Sequence, residues 1–198
     1  ESLDKEGYQT RFLPPMFTEN PGQIKEVGPV LDYCLVGHMG EGKNVEFVIE
    51  AFIELYKRCS KAQITFYGGT EERLAELQNQ YDLPPTIHFK GIVNEVPYHL
   101  HQCYLSASYT ELFANACVEA LNQGLLALLS DVEIAHRFYA SQSNAINLFK
   151  TKSELIQKIE KMEQPDFYLL NEKNLALASR YSLEKVAHIY RELLDRNF

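Results

Sequence analysis

Two glutamates, Glu111 and Glu119, stand eight positions apart in the stretch Ser108-Tyr-Thr-Glu-Leu-Phe-Ala-Asn-Ala-Cys-Val-Glu-Ala-Leu-Asn-Gln-Gly124. Spacing alone carries little weight, because Glu46 and Glu54, and Glu184 and Glu192, share it on helices without a site-like context. By itself it fits an N-cap acid and a solvated surface glutamate. Context separates the first pair. A short apolar strand, Cys103 to Ala107, precedes it, and a glycine ends the helix that it opens. A helix running from about Phe113 sets the two carboxylates roughly 12 Å apart along its axis. That is the reach from a sugar ring across a diphosphate to a ribose. Carboxylates accept hydrogen bonds from sugar hydroxyls. Between them, the free N–H groups and positive dipole end of the helix favour an anion such as a diphosphate. In this reading Glu111 holds a sugar at the mouth and Glu119 a ribose further in.

Other polar groups could join them. Lys43 lies between Gly37 and a predicted helix, and a lysine is a mobile point charge suited to phosphate. His38 follows the same strand and could donate to a phosphate when protonated, or sit neutral against backbone. Gly68-Gly69 before a helix could admit a phosphate or base close to the backbone, or form a tight turn. It is neither G-x-G-x-x-G nor a Walker loop. His99 and His101 flank Leu100, point to opposite sides and lack a third ligand nearby, which argues against a metal site. His136 and Arg137 could lie near the crevice, with nothing specific to give them a role. No Ser/His/Asp or Cys/His constellation is legible.

The elements that must position these residues alternate. Leu31 to Val36 reads as a strand ending at Gly37. Asn44 to Cys59 reads as a helix with Val45, Val48, Ala51, Phe52 and Leu55 on one stripe. Gln63 to Tyr67 is a strand ending in Gly68-Gly69. Thr70 then caps a helix, Glu71 to Tyr81, with Leu74, Leu77 and Tyr81 inward. Thr86 to Phe89 is a strand ending at Gly91, and a short helix near Val96 to Gln102 leads to the strand before Glu111. Leu125 to Leu129 and Ala145 to Phe149 are further strands. Ser153 to Met162, Asp166 to Ser179 and Leu183 to Asn197 read as helices. Residues 1–28 are polar and broken by Pro14-Pro15 and Pro21-Gly22, which fits a linker or interdomain segment with one short strand, Thr10 to Leu13. The alternation predicts an α/β domain over residues 29–198, a parallel sheet with helices on both faces. The ligand crevice of such a sheet lies at the carboxyl ends of its strands. His38, Lys43, Gly68-Gly69, Gly91 to Val93 and Glu111 all fall there.

Composition bounds the rest. A chain of 198 residues with 45% hydrophobic and 23% charged content is globular in character. Its net charge of −8 argues against a general nucleic-acid or anionic-membrane surface. No apolar run reaches transmembrane length. Cys34, Cys59, Cys103 and Cys117 are widely spaced, as expected of reduced core residues and not of metal ligands. The chain begins at Glu1 with no visible signal peptide, as expected of a cytoplasmic piece of a longer protein.

Taken in order, these segments resemble the C-terminal domain of the retaining GT-B glycosyltransferases of family 4, from about Leu31 to Leu194. Val36-Gly-His-Met-Gly-Glu-Gly-Lys-Asn-Val-Glu-Phe-Val-Ile-Glu-Ala-Phe52 is similar to that family's V-G-R-x4-K-[GN]-x5-E-A-F segment. Ile64 to Gly69 is similar to its strand and glycine turn, and Ile87 to Val93 to its F-x-G-x-V stretch. Ser108 to Gly124 resembles S-x-x-E-G-F-[GP]-N-x3-E-A-x3-G, the E-x7-E motif. Ser182 to Leu194 resembles the closing helix. Each piece is degenerate, but their order and spacing together are specific.

The resemblance implies the Rossmann-like, C-terminal half of a GT-B fold, binding a nucleotide-diphosphate sugar, UDP- or GDP-linked. Lys43 would neutralise the diphosphate and Glu111 would contact sugar hydroxyls, so these two bear on catalysis. Glu119 would hold the ribose. Backbone near Phe113, Asn115 and Ala116 would meet phosphate and sugar, and backbone around Val93 the base; His38 and Gly69 complete the donor site. Neither a metal nor a separate cofactor is implied. An N-terminal GT-B domain outside this chain would supply most acceptor groups and any contact with the inner membrane face, leaving this part inactive alone. The product would be a hexose-type sugar on a glycan, lipid-linked or protein acceptor.

The pattern also departs from the family. His38 stands where the family has a diphosphate-binding arginine, and is shorter and only partly charged at neutral pH. Leu112 replaces the glycine after the first glutamate. Gly124-Leu-Leu-Ala replaces G-x-P-V, with Leu126 at the proline, and Ala107 stands where a proline often precedes the serine. These departures motivate an alternative from another class: a catalytically degenerate glycosyltransferase-like subunit that binds a partner or recognises glycans.

Overall fold

Short apolar runs followed by amphipathic helices leave a chain one economical arrangement, in which each helix carries it back so that the next strand lies parallel to the last. A computed structural model describes residues 21–111, 114–132 and 134–195. Its strands are β1 (Glu26–Val27), β2 (Asp32–Val36), β3 (Gln63–Tyr67), β4 (Ile87–Gly91), β5 (Cys103–Ser106), β6 (Leu126–Ser130), β7 (Ile146–Phe149) and β8 (Leu169–Leu170). The helices are α1 (Val45–Lys57), α2 (Glu71–Gln80), α3 (Asn115–Asn122), α4 (Ile134–Ala140), α5 (Lys152–Met162), α6 (Glu172–Ala178) and α7 (Leu183–Asp195).

Six strands form one parallel sheet in the order β4-β3-β2-β5-β6-β7. The chain leaves β2 toward one edge and returns to the other side of β2 as β5. The strand order therefore reverses between β2 and β5, the position where an open α/β sheet has its ligand crevice.

The pleat sorts side chains with period two. Tyr33, Leu35, Ile64, Phe66, Cys103, Leu105, Leu126 and Leu128 face a core shared with α1 and α5. Cys34, Tyr67, Tyr104, Ala127 and Leu129 face a second core with residues of α3, α4 and α6. All five residues of the expected α1 stripe are buried. On α2 only Leu77 is fully buried, while Leu74 and Tyr81 pack at the core margin. Thr70 caps α2 as expected, its side chain accepting from Arg73 N at 3.3 Å.

Several expectations need correction. The segment read as a helix from Asp166 to Ser179 holds strand β8 and then the shorter α6. Leu169 and Leu170 pair antiparallel with Val27 and Glu26, and Asn171 ties the join to distant backbone, accepting from Lys25 N and donating to Gln23 O and Gly124 O. A long-range partner overrides local propensity there. The expected helix near Val96 to Gln102 is a single 3-10 turn, Tyr98–Leu100, following Pro97. Helix α4 was not foreseen. Its Ile134 and Phe138 are exposed, so its apolar residues do not trace a buried stripe. Glu26–Val27, within the stretch read as interdomain segment, forms β1. Thr10 to Leu13 lies outside the described residues. Among those described, no helix is long and apolar enough to cross a membrane.

Gly68 shows how closely the strand ends approach. Its N–H donates to Gly91 O at 2.6 Å, and Gly37 N–H donates to Tyr67 O at 2.9 Å. A Cβ at Gly68 would overlap the carbonyl of Gly37, and its φ of +103° suits only glycine. Gly68→Ala is expected to cost roughly 2–4 kcal/mol. Urea unfolding should give a lower midpoint at unchanged slope, and a wild-type midpoint would contradict the contact.

Candidate functional site

At the reversal point, the loops after β2 and β5 are joined by backbone and by charge. Tyr109 N–H donates to Gly42 O at 2.9 Å. Beside that bond the Lys43 ammonium forms an ion pair with Glu111 Oε1. The two side chains are 15% and 13% exposed, so the pair is largely screened from solvent yet open on one side.

Each partner is held by its own loop. Lys43 ends a 3-10 turn, Glu41–Lys43, whose N–H donates to Gly40 O at 2.9 Å. Its aliphatic stem lies over Gly37, where a Cβ would stand 2.7 Å from Lys43 Cε. Arg73 braces the loop from α2, donating from Nε to Met39 O at 3.0 Å and pairing with Glu46 of α1. On the other side Ser108 Oγ donates to Glu111 Oε1 at 2.9 Å. Ser108 is fully buried and pinned in turn: Ser106 Oγ is 3.0 Å from its hydroxyl, and Ser130 Oγ donates to its carbonyl at 2.7 Å. Buried His136 backs Ser130, with Nδ1 3.1 Å from the hydroxyl. The chain of contacts from α4 to Lys43 thus runs through Ser130, Ser108 and Glu111, with Ser106 branching from Ser108.

Helix α3 opens next to Glu111. It starts at Asn115, two residues later than expected, because Ala114 adopts a left-handed conformation with φ of +49°. Among the described residues no side chain caps it, and the first N–H groups of a helix have no partner within the helix. Asn115 is exposed and Ala116 half-buried. Leu112 and Phe113 lie outside the described residues. One turn on, Glu119 is half-buried, and its Oε2 accepts from the Tyr98 hydroxyl at 3.1 Å. That hydroxyl also lies 3.3 Å from Ala116 O. Burial, and then the Glu119 charge, push the Tyr98 phenol up, so it keeps its proton and can donate.

The remaining candidates are less closely joined. His38 is exposed, its ring over Gly40, and no hydrogen bond among the described residues ties it to Lys43 or Glu111. Gly69 is buried against Met39, where a Cβ would meet Met39 Cγ at 2.8 Å. It borders a groove of about 460 Å³ running along Thr70, Leu74, Phe89 and Gly91 to Ile92. Val93, beside that groove, is exposed. Among the described residues no three His, Cys, Asp or Glu gather closely enough to hold a metal. Cys34, Cys103 and Cys117 are buried free thiols, and burial pushes each one up, whereas Cys59 is exposed. The residues missed from sequence are Tyr98, Ser106, Ser130 and Arg73. None lies in a spacing pattern with the glutamates; only the strand-end positions of Ser106 and Ser130 could have drawn notice.

The doubly wound sheet and the cluster at its reversal point define a Rossmann-like domain of the GT-B type. The chain belongs to the family of glycosyl transferases group 1, whose model matches residues 17–179. Among curated relatives it is 26% identical, over 187 residues, to the UDP-N-acetylglucosamine–peptide N-acetylglucosaminyltransferase GtfA subunit of Limosilactobacillus reuteri, covering 86% of this chain and 36% of that protein. It is 25% identical, over 175 residues, to the alpha-monoglucosyldiacylglycerol synthase of Acholeplasma laidlawii, covering 82% and 44%. The chain therefore spans well under half of each relative. Its fold is shared with a GtfA/B complex, at a TM-score of 0.71 and 16% identity over 93% of this chain and 38% of that one. Anabaena HepE, solved with UDP and glucose, superposes at 0.69 and 16% identity over 85% and 49%.

The residue that closes the 3-10 turn, His101, is pH-sensitive. His101 is buried with Nε2 2.9 Å from the Tyr67 hydroxyl, and among the described residues its Nδ1 has no partner. Burial holds its pKa below the ordinary 6.5, with Asp32 opposing and His99 assisting. The unfolded chain then takes up this proton first as pH falls. The stability linked to His101 is present above the ordinary value and is lost as pH drops through it toward the lower folded value. Urea midpoints at about pH 7.5 and about pH 5.5 should differ less in His101→Gln than in wild type; an equal difference would contradict the assignment.

Proposed function

We propose that this chain is the donor-binding, C-terminal domain of a retaining family 4 glycosyltransferase that takes a UDP-linked hexose-type sugar. The observation that carries the reading is the Lys43–Glu111 pair at the strand reversal, beside the uncapped start of α3. A diphosphate seated over that helix start meets N–H groups and a positive dipole end. Lys43 swings from Glu111 onto the diphosphate and stabilises its charge as it leaves, so the role is electrostatic and needs no metal. Glu111, released, accepts hydrogen bonds from hydroxyls of the sugar. Glu119, eight residues on, receives the ribose diol. The groove beside Gly69 and Val93 lies on the path the base would follow. In the whole protein an acceptor hydroxyl attacks the anomeric carbon on the face the diphosphate leaves, and the acceptor is held mainly by a preceding domain. The UDP-N-acetylglucosamine in the name of the GtfA relative and the UDP bound to HepE favour uridine over guanosine. The peptide and lipid products of the relatives keep both acceptor classes in view.

The exposed His38, where the family has an arginine, favours a second reading: a degenerate subunit that binds a partner or a glycan. A cytoplasmic location suits either reading.

Calorimetric titration with UDP, GDP and ADP tests the first. Saturable binding of UDP is expected, weakened about 10- to 100-fold in Lys43→Ala and in Glu119→Ala, as the loss of charge-assisted hydrogen bonds implies. A folded protein that binds none of the three would sink the donor-site reading and favour the second.

A further inference from the structure

The two motif glutamates are held in different ways. Glu111 is paired with a mobile lysine that can move to another anion. Glu119 is bonded to a tyrosine that cannot move. Tyr98 is 3% exposed, packed in the core with Cys34, Tyr67 and Tyr104, and fixed at both ends of its turn. Its N–H donates to Val96 O at 2.8 Å, and its carbonyl accepts from His101 N–H at 2.9 Å. The His101 ring beside it is 2.9 Å from the Tyr67 hydroxyl on the last residue of β3. The turn is thus anchored to the sheet on one side and reaches α3 on the other. Its one polar tip there is the phenol, 3.1 Å from Glu119 Oε2 and 3.3 Å from Ala116 O.

We propose that Tyr98 is a positioning residue that aims the Glu119 carboxylate at the ribose diol of the nucleotide. The proposal rests on the donor-site reading above and adds what makes Glu119 selective. A carboxylate has about four acceptor sites. A bond from a buried, immobile phenol fixes its plane toward a vicinal diol. A glutamate on an exposed helix face would otherwise lose rotamer entropy on binding. Ala116 O, 3.3 Å away, is the only other acceptor that the structure sets before this hydroxyl among the described residues, and the Glu119 carboxylate is the nearer and charged one. Because burial and the adjacent charge keep the phenol protonated, this aim does not change across the neutral pH range.

Tyr98→Phe keeps the ring and removes only the hydroxyl. The readout is the ratio of affinities for UDP and for 2′,3′-dideoxy-UDP, measured by calorimetry on wild type, Tyr98→Phe and Glu119→Gln. Wild type should prefer UDP. Tyr98→Phe is expected to weaken UDP binding about tenfold and to leave dideoxy-UDP binding unchanged, lowering the preference as Glu119→Gln does. Equal weakening of both nucleotides would overturn the proposal, because it would mark Tyr98 as packing alone. An unchanged preference in Tyr98→Phe with a lost one in Glu119→Gln would overturn it while sparing the donor-site reading. An unchanged preference in Glu119→Gln, or no UDP binding by wild type, would overturn the donor-site reading and the proposal with it.

Discussion

The Lys43–Glu111 ion pair bridges the two loops that diverge at the reversal of strand order, and the geometry of the crevice depends on it. Taking two charges partly out of water costs several kcal/mol, which their attraction offsets only with good geometry and further hydrogen bonds. The surroundings meet both conditions. Ser108 bonds the carboxylate, Gly37 gives the lysine stem room to cross the strand end, and Tyr109 N–H locks the two loops at Gly42. Each charge still keeps one side toward solvent, so an arriving anion can compete for the lysine without unfolding its loop.

Around that pair the molecule distributes rigidity unevenly. The serines behind Glu111 and the Arg73 brace behind Met39 are tied to strands and helices of the main sheet. The face carrying α3 is a separate core, in which tyrosines 67, 98, 104, 139 and 181 supply bulk. Buried tyrosines bring hydroxyls that need partners. Two of them have partners near the candidate site: Tyr67 on His101 and Tyr98 on Glu119. The bulk that fills this core therefore also reaches the motif helix.

Much of the sheet was legible because parallel strands bury both faces and read as short apolar runs, here ended by glycines. The α1 stripe was legible because a helix with one buried face repeats every three to four residues. Strand β8 and the shortened α6 were not. Two leucines beside an asparagine look helical until a partner strand from the far end of the chain arrives. Helix α4 hid because Ile134 and Phe138 face outward while Tyr139 and His136 face in. Order and spacing drew attention to Lys43, Glu111 and Glu119 as candidates, whereas their neighbours Tyr98, Ser130 and Arg73 come from separate segments and follow no motif.

By itself, then, the order of residues determined the strands of the main sheet, the α1 stripe and which edge of the sheet carries polar loops. Those are local consequences of periodicity, capping and turn chemistry, acting over a few residues. Only the tertiary structure decided who meets whom at that edge. It paired the lysine of one loop with the glutamate of another, left His38 apart from both, and set a buried tyrosine against the second glutamate. Such contacts depend on the crossing of chain segments far apart in sequence, and a one-dimensional pattern carries no record of the distance between them.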